Sequence, residues 1–146
     1  DNLEVVGNYL KQNDYNLALA NDGNTALDIV SKHKIDLILL DIMMPEMDGF
    51  EVCRILKDNP ETKDIPVIFL TARADTEDIV QGFRIGGVDY ITKPFRKEEL
   101  FARVNNHVQL KLIRDYLVQS EKDTRKSRDY YMRTLHALSK IIFGEK

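Results

Sequence analysis

Little in this sequence of 146 residues invites zinc or disulfide chemistry. A single cysteine, Cys53, excludes an intramolecular disulfide and fits a reducing compartment, so a cytoplasmic location is expected. One Cys and three His argue against a Cys/His zinc site. No apolar run approaches the ~20 residues that a membrane span needs, and no signal-peptide pattern opens the chain, so no membrane insertion is expected. What is present is the composition of a globular domain: 43% hydrophobic and 31% charged residues, with enough length to bury a core.

The net charge of −3 hides an asymmetry. Residues 1–106 hold 12 basic and 19 acidic side chains, whereas residues 107–146 hold 9 and 5. An acidic body is a poor general nucleic-acid binder. The basic tail mixes both signs, as a solvated helix does, and no direct nucleic-acid contact is expected.

Short apolar runs alternate with amphipathic segments. Asn16–Ala20, Ile35–Leu40, Pro66–Leu70 and Val88–Ile91 read as strands, the second almost continuously apolar as in a strand covered on both faces. Leu3–Leu10, Asn24–His33, Phe50–Lys57 and Thr76–Ile85 read as helices, with Asp75 placed to cap the last and Gly86-Gly87 to end it. Asp22-Gly23 and residues 44–49 read as turn and loop. This alternation predicts a parallel α/β sheet with helices on both faces.

From Lys97 the character changes, because neither Gly nor Pro occurs before Gly144. One helix over 97–143 would be roughly 70 Å long, far more than a body whose radius of gyration is ~13 Å can cover. Leu110, Ile113, Leu117, Ser120, Thr124, Ser127, Tyr131, Thr134, Leu138 and Ile141 keep a 3–4 spacing, a seam that is apolar at both ends and polar in its middle. A long C-terminal helix pairing as a coiled coil is expected, giving a homodimer. The domain division is 1–106 for the body and 107–146 for a helical linker towards an output domain. The competing reading is a helix that folds back over its own domain.

Polar residues follow three apolar strands directly: Asp41, Thr71 and Lys93. In an open parallel sheet, ligands bind beyond the carboxyl ends of the strands. Singly, each residue has an ordinary reading as cap, turn former or surface charge. Jointly they suggest a phosphoryl site, with a carboxylate nucleophile and a hydroxyl and ammonium that hold phosphoryl oxygens as charge develops.

The segment from Leu39 to Gly49, Leu-Leu-Asp-Ile-Met-Met-Pro-Glu-Met-Asp-Gly, resembles the phosphoacceptor segment of bacterial response-regulator receiver domains. Phe69-Leu70-Thr71-Ala72 is similar to the family's switch threonine with its small neighbour. Asp89-Tyr90-Ile91-Thr92-Lys93-Pro94-Phe95 is similar to its switch aromatic and Lys-Pro motif. The resemblance covers about residues 2–106. It implies a flavodoxin-like, doubly wound parallel sheet, and a part in a two-component phosphorelay. It also implies that Asp41 takes a phosphoryl group from a histidine kinase or histidine phosphotransfer protein, with Thr71 and Lys93 on its oxygens. Thr71 and Tyr90 would form the switch, and Lys93-Pro94 would be cis. Met43 and Arg73 would flank the site and tune the lifetime of the phosphoryl group. The cofactor implied is Mg²⁺, held by Asp41, the Met43 backbone carbonyl and an acidic pair. The family's first, central strand ends in that pair. Here Asp1-Asn2-Leu3 resembles the start of the first helix, so strand and pair are expected upstream of residue 1.

Such a chain is not expected to be an enzyme beyond its own phosphorylation and dephosphorylation, although a histidine kinase, diguanylate cyclase or similar output enzyme would follow. The alternative is a receiver-like interaction module that works without phosphate. Of the remaining candidates, Cys53 reads as core, His33 as a helix end, His107 as helix surface, and Glu46 and Asp48 as loop acids. His136 faintly resembles a phosphotransfer histidine without the surrounding bundle.

Overall fold

A computed structural model of the chain describes residues 2–13, 15–121 and 140–144. The elements in chain order are α1 (Asn2–Gln12), β1 (Asn16–Ala20), α2 (Gly23–Lys32), β2 (Leu37–Leu40), α3 (Gly49–Asp58), β3 (Val67–Thr71), α4 (Thr76–Arg84), β4 (Asp89–Thr92), α5 (Lys97–Ser120) and β5 (Lys140–Gly144). The strands form one sheet in the order β1-β5-β2-β3-β4, and every neighbouring pair is parallel. This is the doubly wound architecture that the alternation predicts.

The unbroken apolar runs have a direct cause. Side chains alternate across a sheet, so a strand covered on both faces needs apolar residues at every position. Ile38, Leu40, Val67 and Phe69 pack with Ala26 and Val30 of α2 and with Phe50, Val52, Cys53 and Leu56 of α3, and Ile79 of α4 joins them at the edge. Leu37, Leu39, Ile68, Leu70 and Ile91 pack on the other face with Val6 and Leu10 of α1 and with Leu100, Val104, Val108 and Leu112 of α5. Each fully buried Val, Leu, Ile or Phe among them contributes about 1.5–3 kcal/mol.

Asp22 caps α2 by accepting the Thr25 N–H at 2.8 Å, and Asp48 caps α3 by accepting the Glu51 N–H at 2.9 Å. Asp75 does stand at the N-cap of α4, but its side chain makes no capping bond. Its exposed carboxylate is solvated, and Glu77 and Asp78 already bring negative charge to that end of the helix. Gly86, at φ +113°, takes the chain out of α4 through a conformation that residues with a Cβ avoid.

One expectation about the end of the chain is corrected. The single helix expected over 97–143 ends at Ser120, with Glu121 as its C-cap, and residues 140–144 form β5. In the chain described, the central position of the sheet is held by β5, which pairs with β1 over Asn16–Ala20 and with β2 over Leu37–Leu40. The physical reason is the sheet's need for backbone partners. The facing edges of β1 and β2 each carry N–H and C=O groups that require pairing, and Ile141-Ile142-Phe143 is a run with high strand propensity. Residues 122–139 lie outside the described residues, and with them Thr124, Ser127, Tyr131, Thr134, His136 and Leu138.

Where β2 ends, α3 starts in contact with it. A Cβ on Gly49 would run into the Asp41 carbonyl oxygen and lie 2.8 Å from the Ile42 Cα, both backbone atoms. Gly49→Ala should therefore destabilise the domain by roughly 1–3 kcal/mol through overpacking. An unchanged urea midpoint would contradict this close approach.

Candidate functional site

Asp41, immediately after β2, is 5% exposed. Its Oδ1 accepts the Met43 N–H at 2.9 Å, and its Oδ2 lies 3.4 Å from Lys93 Nζ. That second distance is longer than the 2.7–2.9 Å of a tight charge-assisted bond. The pair is therefore an electrostatic contact with room to reorganise.

Thr71, the last residue of β3, is fully buried, and its hydroxyl accepts the Arg73 N–H at 3.3 Å. β3 and β4 are neighbours in register, with Thr71 opposite Thr92, and the next residue, Lys93, donates its N–H to the Thr71 carbonyl at 2.9 Å. The Lys93–Pro94 peptide is cis, as the resemblance implies. The three residues read from the strand ends thus stand along one edge of the sheet. Asp41 and Lys93 meet through side chains, and Lys93 and Thr71 through the main chain.

The Tyr90 ring packs against Phe69, with centroids 5.9 Å apart. Its hydroxyl donates to the Arg73 carbonyl at 2.7 Å, and burial, first among several causes, pushes its pKa up to about 12. The phenol therefore stays a donor at neutral pH. The Met43 side chain is exposed beside the site. Arg73 Nε and Nη2 donate to the two carboxylate oxygens of Asp78 at 2.9 and 2.8 Å.

The other candidates lie elsewhere. Cys53 is buried in the core with its Sγ 3.8 Å from the Ile85 carbonyl, and burial raises its thiol to about 11. His33 is the C-cap of α2. His107 is not a plain surface residue: its side chain is 17% exposed and its Nε2 lies 3.2 Å from Asp89 Oδ2. Asp89 also accepts from Arg103 at 2.7 Å, so it fastens the start of β4 to α5.

Sequence reasoning missed Asp89, Asp78 and the capping role of Asp48. Only Asp48 carried a signal, since an acid three residues ahead of Glu51 at a helix start is a capping pattern.

A Mg²⁺ ion asks for about six oxygens in near-octahedral geometry. Asp41 and the Met43 carbonyl can offer two, and among the described residues no group of three or more His, Cys, Asp or Glu could hold a metal ion. These residues make part of such a site and do not complete it, so no step below is routed through the ion.

The family profile of the response regulator receiver domain matches residues 1–105. The chain belongs to the receiver-domain family. It is 45% identical over 118 residues to a Vibrio cholerae protein named a probable cyclic di-GMP phosphodiesterase, a match covering 81% of this chain and 26% of that protein. It is 46% identical over 112 residues to the response regulator PleD of Caulobacter vibrioides, covering 77% of this chain and 25% of PleD. The chain thus spans about a quarter of the length of these relatives. Among solved structures, it superposes on the receiver domain of a histidine kinase from Syntrophus aciditrophicus with a TM-score of 0.68 at 36% identity, covering 73% of this chain and 81% of that one. A Francisella response-regulator receiver domain matches with a TM-score of 0.68 at 34% identity, covering 73% and 86%.

This receiver is a phospho-accepting module of a two-component phosphorelay, a signalling domain rather than an enzyme. Receivers generally partner histidine kinases, and characteristically use Mg²⁺ in phosphotransfer. Among the described residues no helix is long and apolar enough to cross a membrane.

Burial raises the Asp89 carboxyl, but hydrogen bonds from Arg103, the Tyr90 N–H and His107 outweigh it and hold the group below its usual value. The fold therefore favours the ionised form. That stabilisation is present at neutral pH and is lost as pH falls below ~4 through the depressed value. Arg103→Gln should be less stable than the parent near pH 7, and the gap should close on acidification. Urea denaturation at several pH values checks this, and a gap that is constant down to pH ~3 would contradict it.

Proposed function

We propose that Asp41 is the phosphoacceptor of this receiver. The observation that carries the proposal is the nearly buried Asp41 carboxylate with Lys93 Nζ at 3.4 Å, beside a strand end that presents the Thr71 hydroxyl. In the step, a carboxylate oxygen of Asp41 forms a P–O bond as the P–N bond of a phosphohistidine on the donor breaks, and the donor imidazole leaves. The product is an acyl phosphate. Lys93 neutralises one phosphoryl oxygen, and the Thr71 hydroxyl, turned from the Arg73 N–H, donates to another. Water later cleaves the P–O bond and releases inorganic phosphate. Mg²⁺ would draw ligands from Asp41 and the Met43 carbonyl, with further carboxylates from beyond the described residues, and would supply positive charge for the phosphoryl oxygens. Arg73 and Met43 flank the site and set how readily that water reaches it.

The donor is a histidine kinase or histidine phosphotransfer protein, and the site is cytoplasmic. The two relatives extend about four times as far as their match to this chain, which supports a receiver that governs an attached output enzyme. A cyclic di-GMP enzyme fits the name of the Vibrio cholerae relative.

Asp41→Asn should abolish labelling of the full-length protein by radiolabelled acetyl phosphate. Labelling that survives would overturn the assignment. Thr71 and Tyr90 form the switch in this reading: a phosphoryl oxygen draws the Thr71 hydroxyl inward, and the space it frees accommodates the Tyr90 ring.

The receiver also pairs with a second copy through the exit of α5. Leu110, Ile113 and Leu117 lie at i, i+3 and i+7 and are all exposed, 44–56%. That is the apolar stripe which a parallel coiled coil would cover. Sedimentation should detect a dimer, and Leu110→Asp with Leu117→Asp should dissociate it. A parent protein that stays monomeric at high micromolar concentration would refute the pairing.

A further inference from the structure

One charged side chain stands on the buried face of α5. The buried residues of that helix are Leu100, Val104, Val108, Lys111 and Leu112, and none from Ile113 to Ser120 is buried. Lys111 is therefore placed where the helix leaves the body. Its side chain is 8% exposed, and its Nζ lies 3.8 Å from Oδ1 of Asp36, the residue just before β2. The same ammonium bonds Asp115, about one turn further along α5. It thus stands between a carboxylate of the body and a carboxylate of the emerging helix.

Apolar packing does little to direct the helix at this point. Lys111 and Asp115 line a cavity of about 510 Å³ with Val30 of α2, Leu56 of α3, and Ile35 and Ile65 ahead of β2 and β3. Apolar contact is also non-directional, so a leucine at position 111 would tolerate several settings of the helix. A nearly buried ammonium does not, because any setting that parts it from its carboxylates leaves charge unpaired in the interior. Rotation matters here. At about 3.6 residues per turn, the exposed Leu110, Ile113 and Leu117 fall on the side of the helix away from Val104, Val108 and Lys111.

We propose that Lys111 is a positioning residue that sets the direction and rotation in which α5 leaves the body, and so the face that the helix offers to a second copy. The part about the second copy rests on the pairing through α5 given above. The ammonium holds the foot of β2 at one end and the first turn of the emerging helix at the other. The apolar stripe is then presented in one orientation, and a partner meets a surface already in place. Such preorganisation raises affinity without adding a contact.

The test uses the full-length protein. Spin labels at Arg54→Cys on α3 and Val118→Cys on α5 report the direction of the helix, since both positions are exposed and Cys53 is fully buried. Leu110→Asp with Leu117→Asp keeps copies apart during this measurement, so it reads the helix independently of pairing. The parent should give one narrow distance distribution. Lys111→Met with Asp36→Asn removes both buried charges while keeping a side chain of similar length at each position. Its distribution should shift, or broaden about twofold or more, while acetyl phosphate labelling and the urea midpoint stay near those of the parent. Lys111→Arg, which keeps the charge, should give the narrow distribution again. With Leu110 and Leu117 in place, sedimentation of Lys111→Met with Asp36→Asn should show pairing weakened about tenfold or more. An unchanged narrow distribution overturns the positioning role. Asp115→Asn alters only a partly exposed residue; it should also broaden the distribution, and it decides the matter if the double variant fails to fold. A broadened distribution with pairing of parental strength overturns the link from Lys111 to the second copy. A monomeric parent overturns the pairing and that link together, while the spin labels still decide whether Lys111 directs the helix.

Discussion

A carboxylate removed from water needs a partner, and Asp41 finds its partner in Lys93, fifty-two residues further along the chain. At 3.4 Å the two charges attract without locking together. An anion at this position would be costly if it were unpaired, and the pair can form only if β2 and β4 end at the same edge of the sheet. β3 stands between them, so its own last residue, Thr71, is brought to that edge as well. The register of three strands and the composition of the site are therefore one constraint seen from two sides.

What holds the register is burial on both faces. A slip of one residue would exchange the sets that face α2–α3–α4 and α1–α5. Phe69, which packs with Phe50 and Tyr90 on one face, would then be driven to the other. The site gains its rigidity from this packing. Packing is thinner over α4, of which Gly82 is the one buried residue while Ile79 reaches the core in part.

The same chain fastens its last described helix at two heights. Asp89 at the start of β4 holds Arg103 and His107, and Lys111, itself nearly buried, lies 3.8 Å from Asp36 at the foot of β2 and pairs with Asp115 within the helix. Lys111 breaks the apolar pattern of the buried face of α5 without breaking the fold, because two carboxylates surround its ammonium. Beyond it the helix leaves the body with an apolar stripe exposed, the surface on which the dimer proposal stands. Within β4, Tyr90 stands next to Asp89, so this strand touches both the loop after β3 and α5.

The sequence by itself determined the parallel α/β class, the strand runs of the body and the polar residues at their ends. Two-sided burial writes itself as unbroken apolar runs, and the residue that follows each run stands at the carboxyl edge of the sheet. Asp41, Thr71 and Lys93 were legible for that reason, and Gly86-Gly87 as a helix stop for a similarly local one. Three things were decided only in three dimensions. The Arg73–Asp78 and Asp89–His107 pairs obey no sequence period, because one spans a loop and the other joins a strand to a helix. The placing of Lys140–Gly144 was hidden because Ile-Ile-Phe fits a helical seam and a strand equally well, and only backbone pairing with β1 and β2 settles between them. The end of α5 was hidden because no Gly or Pro marks it. Local propensity is too weak to place such a boundary, because the stability of a helix in a protein comes mainly from what its face packs against.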